Sequence, residues 1–222
     1  PYKEVFDIYN AGLKVPDDVT LIWCDDNYGY IRHFPTAEER ARKGGNGIYY
    51  HVSYWGRPHD YLWLGTFSPY LLHQQMKLAY DRGIQKMWVL NVGDIKPAEY
   101  QIELFLDMAW NIDEVNEIGV TAHLKSWLGR EFGSNCAEEL LPAMEAHYHL
   151  SYIRKPEFMG NTREEERDPK YKVIKDLPWS EQTISERLRS YTVLSDVVER
   201  MESNIPADRQ DAYFQLVKYQ VQ

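Results

Sequence analysis

The chain has 222 residues, enough to bury a substantial core as one large domain or two modest ones. A formal net charge of -9 and the lack of any basic stripe argue against a nucleic-acid partner, and no apolar run reaches the ~18 residues a membrane span needs. Two cysteines, Cys24 and Cys136, fit neither a disulfide framework nor a zinc site, and Asp25 and Asp26 are fewer carboxylates than a hard cation usually needs, so no metal or cofactor is expected.

Residues 2–11 place apolar side chains at Val5, Phe6, Ile8 and Tyr9 before Gly12, the pattern of a short helix with a glycine C-cap. The turn at Pro16, Asp17 and Asp18 launches VTLIWC, an apolar run of strand length that stops at Asp25, Asp26 and Asn27. An unbroken apolar strand predicts burial on both faces, as in a parallel sheet. Thr36 followed by Glu39 marks a capping box and a short helix. IYYHVSYW reads as a second strand in which polar and aromatic residues alternate, so one of its faces must meet something polar. A helix over 70–82 follows, closed by Gly83, then KMWVLNVGD as a third strand and a helix started by Pro97 and running to Trp110.

This βα alternation predicts an α/β fold with a parallel sheet. Beyond residue 112 the periodicity is helical alone, with amphipathic segments over 115–132 and 136–159. A charged connector over 161–176 leads to a bundle helix carrying Ile184, Leu188, Tyr191, Leu194, Val198, Met201 and Ile205, and Pro206 starts the last helix. The chain opens at Pro1 without Met and its last helical pattern has no stop signal, so it is expected to be a piece of a longer protein.

Polar groups just past parallel strand ends face the side of a sheet where ligands bind. Asp25, Asp26 and Asn27 occupy that position on the first strand, and they serve equally well as an Asx turn. Only one of the two aspartates is expected to enter a given pocket, because neighbours on an extended chain point to opposite faces. His51 near the second strand's end and Asn91 and Asp94 at the third repeat the theme. A helix-capping aspartate is the plainer reading of Asp94, and a core histidine that of His51 taken alone. Neighbouring parallel strands end about 4.8 Å apart, however, so His51 and Asp25 can address one small ligand. Glu4, in a first helical turn, is by default a solvated side chain. Arg32, His33, Arg57 and His59 form a possible carboxylate-binding patch. The surplus of aromatics, 17 Tyr and 7 Trp, suits pyranose rings, which stack on aromatic faces.

VPDDVTLIWCDDNYGYIR, GGNGIYYHVSYWGRPHDYLWL and MWVLNVGDIKPAE, in this order and spacing, resemble the xylan α-1,2-glucuronidases of glycoside hydrolase family 115. The resemblance implies that residues 1–112 are the closing part of a (β/α)8 catalytic TIM barrel and residues 113–222 a helical bundle domain truncated at its C-terminus. It implies an inverting glycosidase that releases D-glucuronic acid or its 4-O-methyl ether from glucuronoxylan, secreted or periplasmic and homodimeric at full length. Matched residue by residue, Glu4 of YKEVF and Asp25 of WCDDN are the catalytic carboxylates, and Asn27, Tyr49, His51, Tyr54 and Asn91 bind the uronic acid. The 222 residues alone are expected to be inactive, because pocket groups from upstream strands are missing. Two alternatives stand beside this reading: a metal-dependent barrel hydrolase using Asp25, His51 and Asp94, and a non-catalytic carbohydrate-binding or scaffold protein.

Overall fold

A computed structural model describes residues 1–56, 59–159 and 179–222; Arg57 and the connector over 161–176 lie outside the described residues. Three strands, β1 (Leu21–Cys24), β2 (Asn46–His51) and β3 (Met87–Asn91), form one sheet in the order β1-β2-β3. Both pairings are parallel, with Cys24 beside Tyr49 and His51 beside Asn91. The crossovers carry α2 (Ala37–Arg40) and α3 (Pro69–Asp81), and α1 (Glu4–Asn10) precedes the sheet. The Thr36–Glu39 capping box forms as the sequence predicts, with both reciprocal hydrogen bonds.

Two strand expectations need correction. The second strand is shorter than IYYHVSYW: it ends at His51, after which the Val52 N–H still reaches the Asn91 carbonyl at 3.1 Å and Tyr54 forms an isolated antiparallel bridge to Tyr61. The strands are not buried on both faces throughout. Leu21, Trp23, Ile48 and Tyr50 join the hydrophobic core, whereas Ile22, Cys24, Tyr49 and Val89 share a face that is only half-covered. Tyr49, His51 and Asn91 rise along that same face.

After β3, a 3₁₀ turn at Lys96–Ala98 leads into α4 (Glu99–Trp110). Asp94 is not its cap: the chain enters the turn through Ile95, one residue later, and no side chain caps it. The helices α5 (Ile112–Phe132) and α6 (Ser134–Ile153) follow, then a 3₁₀ turn at Pro156–Met159, so the predicted segment over 136–159 starts earlier and breaks before its end. Within α5, Gly119 is non-helical at φ 77°, a backbone state that glycine reaches without steric cost. The chain ends with α7 (Glu181–Glu202), a 3₁₀ turn at Ala207–Arg209, α8 (Gln210–Tyr213), a π-helical turn at Phe214–Lys218 and α9 (Tyr219–Val221). In α7 the predicted apolar stripe is only partly used. Leu194, Val198 and Met201 are buried, but Ile184 and Leu188 are exposed. No helix among the described residues is long and apolar enough to cross a membrane.

One hydrophobic cluster runs from Leu21 in the sheet through Leu104 and Phe105 of α4 and Leu124 of α5 to Val217 near the end. His147 of α6 sits in it fully buried, its Nε2 3.3 Å from the Gly65 carbonyl oxygen. Burial holds its pKa at about 4, below the ordinary 6.5. The unfolded chain therefore takes up this proton first, and stability present above pH ~6.5 is lost as pH falls through ~4, by up to ~3 kcal/mol. Thermal melts across that range should show a shallower pH dependence for His147→Gln than for the parent.

Candidate active site

The first strand's end divides its two carboxylates between two tasks. Asp26 holds the loop: its Oδ1 accepts the backbone N–H groups of Tyr28 and Tyr30 at 3.1 Å, and its Oδ2 takes a bidentate guanidinium from Arg32. Asp25 is thereby free to turn inward. It is buried, its Oδ2 accepting the Gly29 N–H at 2.8 Å and its Oδ1 lying 2.5 Å from His51 Nδ1. Gly29 is required at this point, since its φ is +92° and a Cβ would lie 2.4 Å from the Phe67 ring. The predicted split between the aspartates therefore takes a specific form, with an Asx-type turn and an inward carboxylate in adjacent residues.

Tyr49 and Tyr54 meet the His51 ring edge-on, with centroids 4.9 and 5.7 Å away, and Tyr2 lies 6.3 Å away. Asn91 donates to the Tyr49 hydroxyl across the β2–β3 pair. Asn27 adopts a left-handed backbone at φ 72°, its carbonyl accepting from the Tyr61 hydroxyl at 2.6 Å and its side-chain oxygen from the Tyr2 hydroxyl at 2.8 Å. Asp25, Asn27, Tyr49, His51, Tyr54 and Asn91 thus gather in one network of hydrogen bonds and ring contacts centred on His51.

Glu4 is not part of that network. It lies exposed in the first turn of α1, one residue beyond Lys3. Two residues in the network were not singled out by sequence reasoning. Tyr2 bonds Asn27, and Lys3 donates to the Tyr54 hydroxyl at 3.0 Å while lying over the Tyr2 and Tyr54 rings. Lys3 has φ 46°, and with Asn27 it accounts for the non-glycine positive φ values among the described residues. Such strained backbone gathers at functional sites. A cavity of about 260 Å³ opens here, lined by Tyr2, Lys3, Cys24, Asp25 and Asn27 together with Arg32 and His33.

The electrostatics favour a site that receives an anion and hydroxyls. The oxygens of Tyr2 and then Tyr54 push the Lys3 pKa up, so it stays an ammonium. Burial pushes Asp25 up, and the contact with His51 pulls it back. Burial also raises the Cys24 thiol to about 11, which leaves it a poor nucleophile. The expected basic patch is only partly assembled. Arg32 and His33 line the cavity but are engaged by Asp26 and Glu39, while His59 stacks on Phe158.

Asp25, His51 and Asp94 do not come together as a metal site. Asp94 lies beyond β3 in a separate cleft. The only group of three metal-type ligands among the described residues is Glu103, Asp107 and His123, where His123 bonds Asp107 and Arg130 pairs with Glu103, tying α4 to α5.

The sequence profile of Glycosyl hydrolase family 115 matches residues 1–158. The chain belongs to this family. A solved structure described as a family GH115 4-O-methyl-alpha-glucuronidase, BtGH115A, with specificity for decorated arabinogalactans, is 73% identical and superposes with a TM-score of 0.95. That match covers 100% of this chain, and the chain spans 29% of the length of that structure. No match was found among curated proteins. The family 115 resemblance read from the strand-end motifs is therefore borne out. The densest of those motifs, WCDDN and YYHVSY, supply the Asp25–His51 contact.

Proposed function

We propose that this family 115 chain is part of a glycosidase that releases glucuronic acid or 4-O-methylglucuronic acid from a polysaccharide side chain. The observation that carries this reading is the buried Asp25–His51 pair beside the Lys3 ammonium, at the C-terminal edge of a parallel sheet. In this reading Lys3 pairs with the uronate carboxylate. Asp25 accepts the Nδ1 proton of His51 and so holds the imidazole in the tautomer whose Nε2 can accept from a sugar hydroxyl. Asn27, Tyr49, Tyr54 and Asn91 orient the ring, and Glu4, at the open margin, supplies acid–base chemistry.

The three strands are the closing arc of a (β/α)8 barrel over residues 1–112, followed by a helical bundle over 113–222. Their sequential parallel order and the half-covered face carrying Tyr49, His51 and Asn91 support this, since barrel enzymes place their sites at strand C-termini. The chemistry is inverting, with two carboxyl groups about 6.5–9.5 Å apart and a water between them. A polymer substrate places the full-length protein outside the cytoplasm, secreted or periplasmic, and it acts there as a homodimer. Glucuronoxylan is the substrate implied by the sequence motifs. Decorated arabinogalactan is favoured over it by the specificity named for the 73% identical structure.

The test is to incubate the full-length protein with both polysaccharides and to follow the released uronic acid and its initial anomer by NMR. Release from arabinogalactan as the β-anomer is expected from an α-linked side chain. No uronic acid from either polymer, or retention of the α-anomer, would defeat the reading.

A further inference from the structure

Outside the Asp25–His51 centre, a cleft of about 230 Å³ opens where the loops after β2 and β3 meet the last helical segment. Three aromatic side chains on its wall are exposed: Trp63 at 65%, Phe214 at 49% and Tyr219 at 52%. Asp94, Gln215 and Lys96 add hydrogen-bonding groups. Aromatic faces combined with a few placed polar groups are what a pyranose ring requires.

We propose that this cleft is a second carbohydrate subsite that holds neutral pyranose units of the polysaccharide main chain; it rests on the glycosidase reading above. The backbone geometry is specific. Residues five apart on an α-helix are rotated by about 140° from each other. The π-helical turn at Phe214–Lys218 removes much of that offset and brings the Phe214 and Tyr219 rings within 6.0 Å. Single π-turns inside helices are concentrated at functional sites. Gln220 locks the arrangement, its Oε1 accepting the Gly65 N–H at 2.5 Å and its Nε2 donating to the Gln215 carbonyl at 3.0 Å.

Charge selects the occupant. Lys96 is taken up by Glu99 at 2.8 Å, which leaves the Asp94 carboxylate to repel a uronate and accept from neutral hydroxyls. Position supports the same conclusion. Asp94 follows the site residue Asn91 by three residues, a chain reach of at most ~10 Å. Trp63 follows by two residues Tyr61, the bridge partner of the site residue Tyr54. One polysaccharide chain can therefore run from the uronic acid pocket onto these aromatics.

The test compares Trp63→Ala and Phe214→Ala in the full-length protein on two substrates, the decorated polysaccharide and a small aryl 4-O-methylglucuronide without a main chain. KM for the polymer should rise about three- to tenfold, with kcat, aryl glycoside turnover and melting temperature unchanged. An unchanged polymer KM overturns the subsite. Equal losses on both substrates with a lowered melting temperature overturn it too, because the aromatics would then be packing against another segment of the protein. Should the parent protein cleave neither substrate, the glycosidase reading fails instead. Calorimetric titration of neutral galacto- and xylo-oligosaccharides into the parent and Trp63→Ala still decides the cleft, since binding lost in the variant supports it and no binding to the parent overturns it.

Discussion

Asp25→Asn in the full-length protein should lower kcat by about 10²- to 10⁴-fold while leaving the melting temperature close to that of the parent. The substitution keeps the shape of the side chain, and its amide oxygen can still accept the Gly29 N–H that Asp25 accepts at 2.8 Å. The change falls on the other contact, 2.5 Å from His51 Nδ1. A carboxylate there requires the Nδ1 proton; an amide NH₂ turned toward the ring requires Nδ1 to be the acceptor and moves the proton to Nε2. The imidazole then presents a donor to the substrate where an acceptor is needed. Asp25→Ala differs, because it leaves a buried histidine nitrogen unpaired at a cost of about 1–3 kcal/mol. A purely structural Asp25 would therefore show itself as a lowered melting temperature with turnover intact. The proposed positioning role shows the reverse in Asp25→Asn, together with an altered pH profile of kcat.

That contact was largely legible in the sequence, for a simple reason. Parallel neighbours end side by side, so once LIWC and the IYYH run are recognised as adjacent strands, Asp25 and His51 must lie near one another. Local chemistry was legible too: the Thr36–Glu39 capping box and the Gly83 helix stop depend on residues a few positions apart. What could not be read depends on packing between distant segments. Lys3 enters the site because its backbone takes φ 46° and places its ammonium on Tyr54, 51 residues away. Asp94 reads as a helix cap by spacing, yet the chain starts its 3₁₀ turn one residue later, and the carboxylate faces a different cleft. Gly119 interrupts α5 inside an otherwise regular apolar period, and the π-turn near the end leaves no mark in hydrophobic spacing at all. Glu4 is the reverse case, since the motif resemblance alone singled it out.

Glu4→Gln in the full-length protein should reduce turnover of the polysaccharide by about 10²- to 10⁴-fold without loss of folded stability. The stability half follows from placement. Glu4 is exposed, and α1 contributes no fully buried residue, so the most its charge offers is a first-turn interaction with the helix dipole of about 0.3–1 kcal/mol. A large kinetic effect from so exposed a carboxylate is explained only by contact with the reacting sugar, across the open margin next to Lys3. The comparison between leaving groups assigns its role. A general acid is needed to protonate a sugar alkoxide but not an activated phenolate, so an acid variant retains activity on a nitrophenyl uronide while losing it on the polymer. A general base variant loses both, because water activation is common to the two reactions. Near-normal turnover on both substrates removes Glu4 from the chemistry and leaves the Asp25–His51 pair to be completed by carboxylates from elsewhere in the protein.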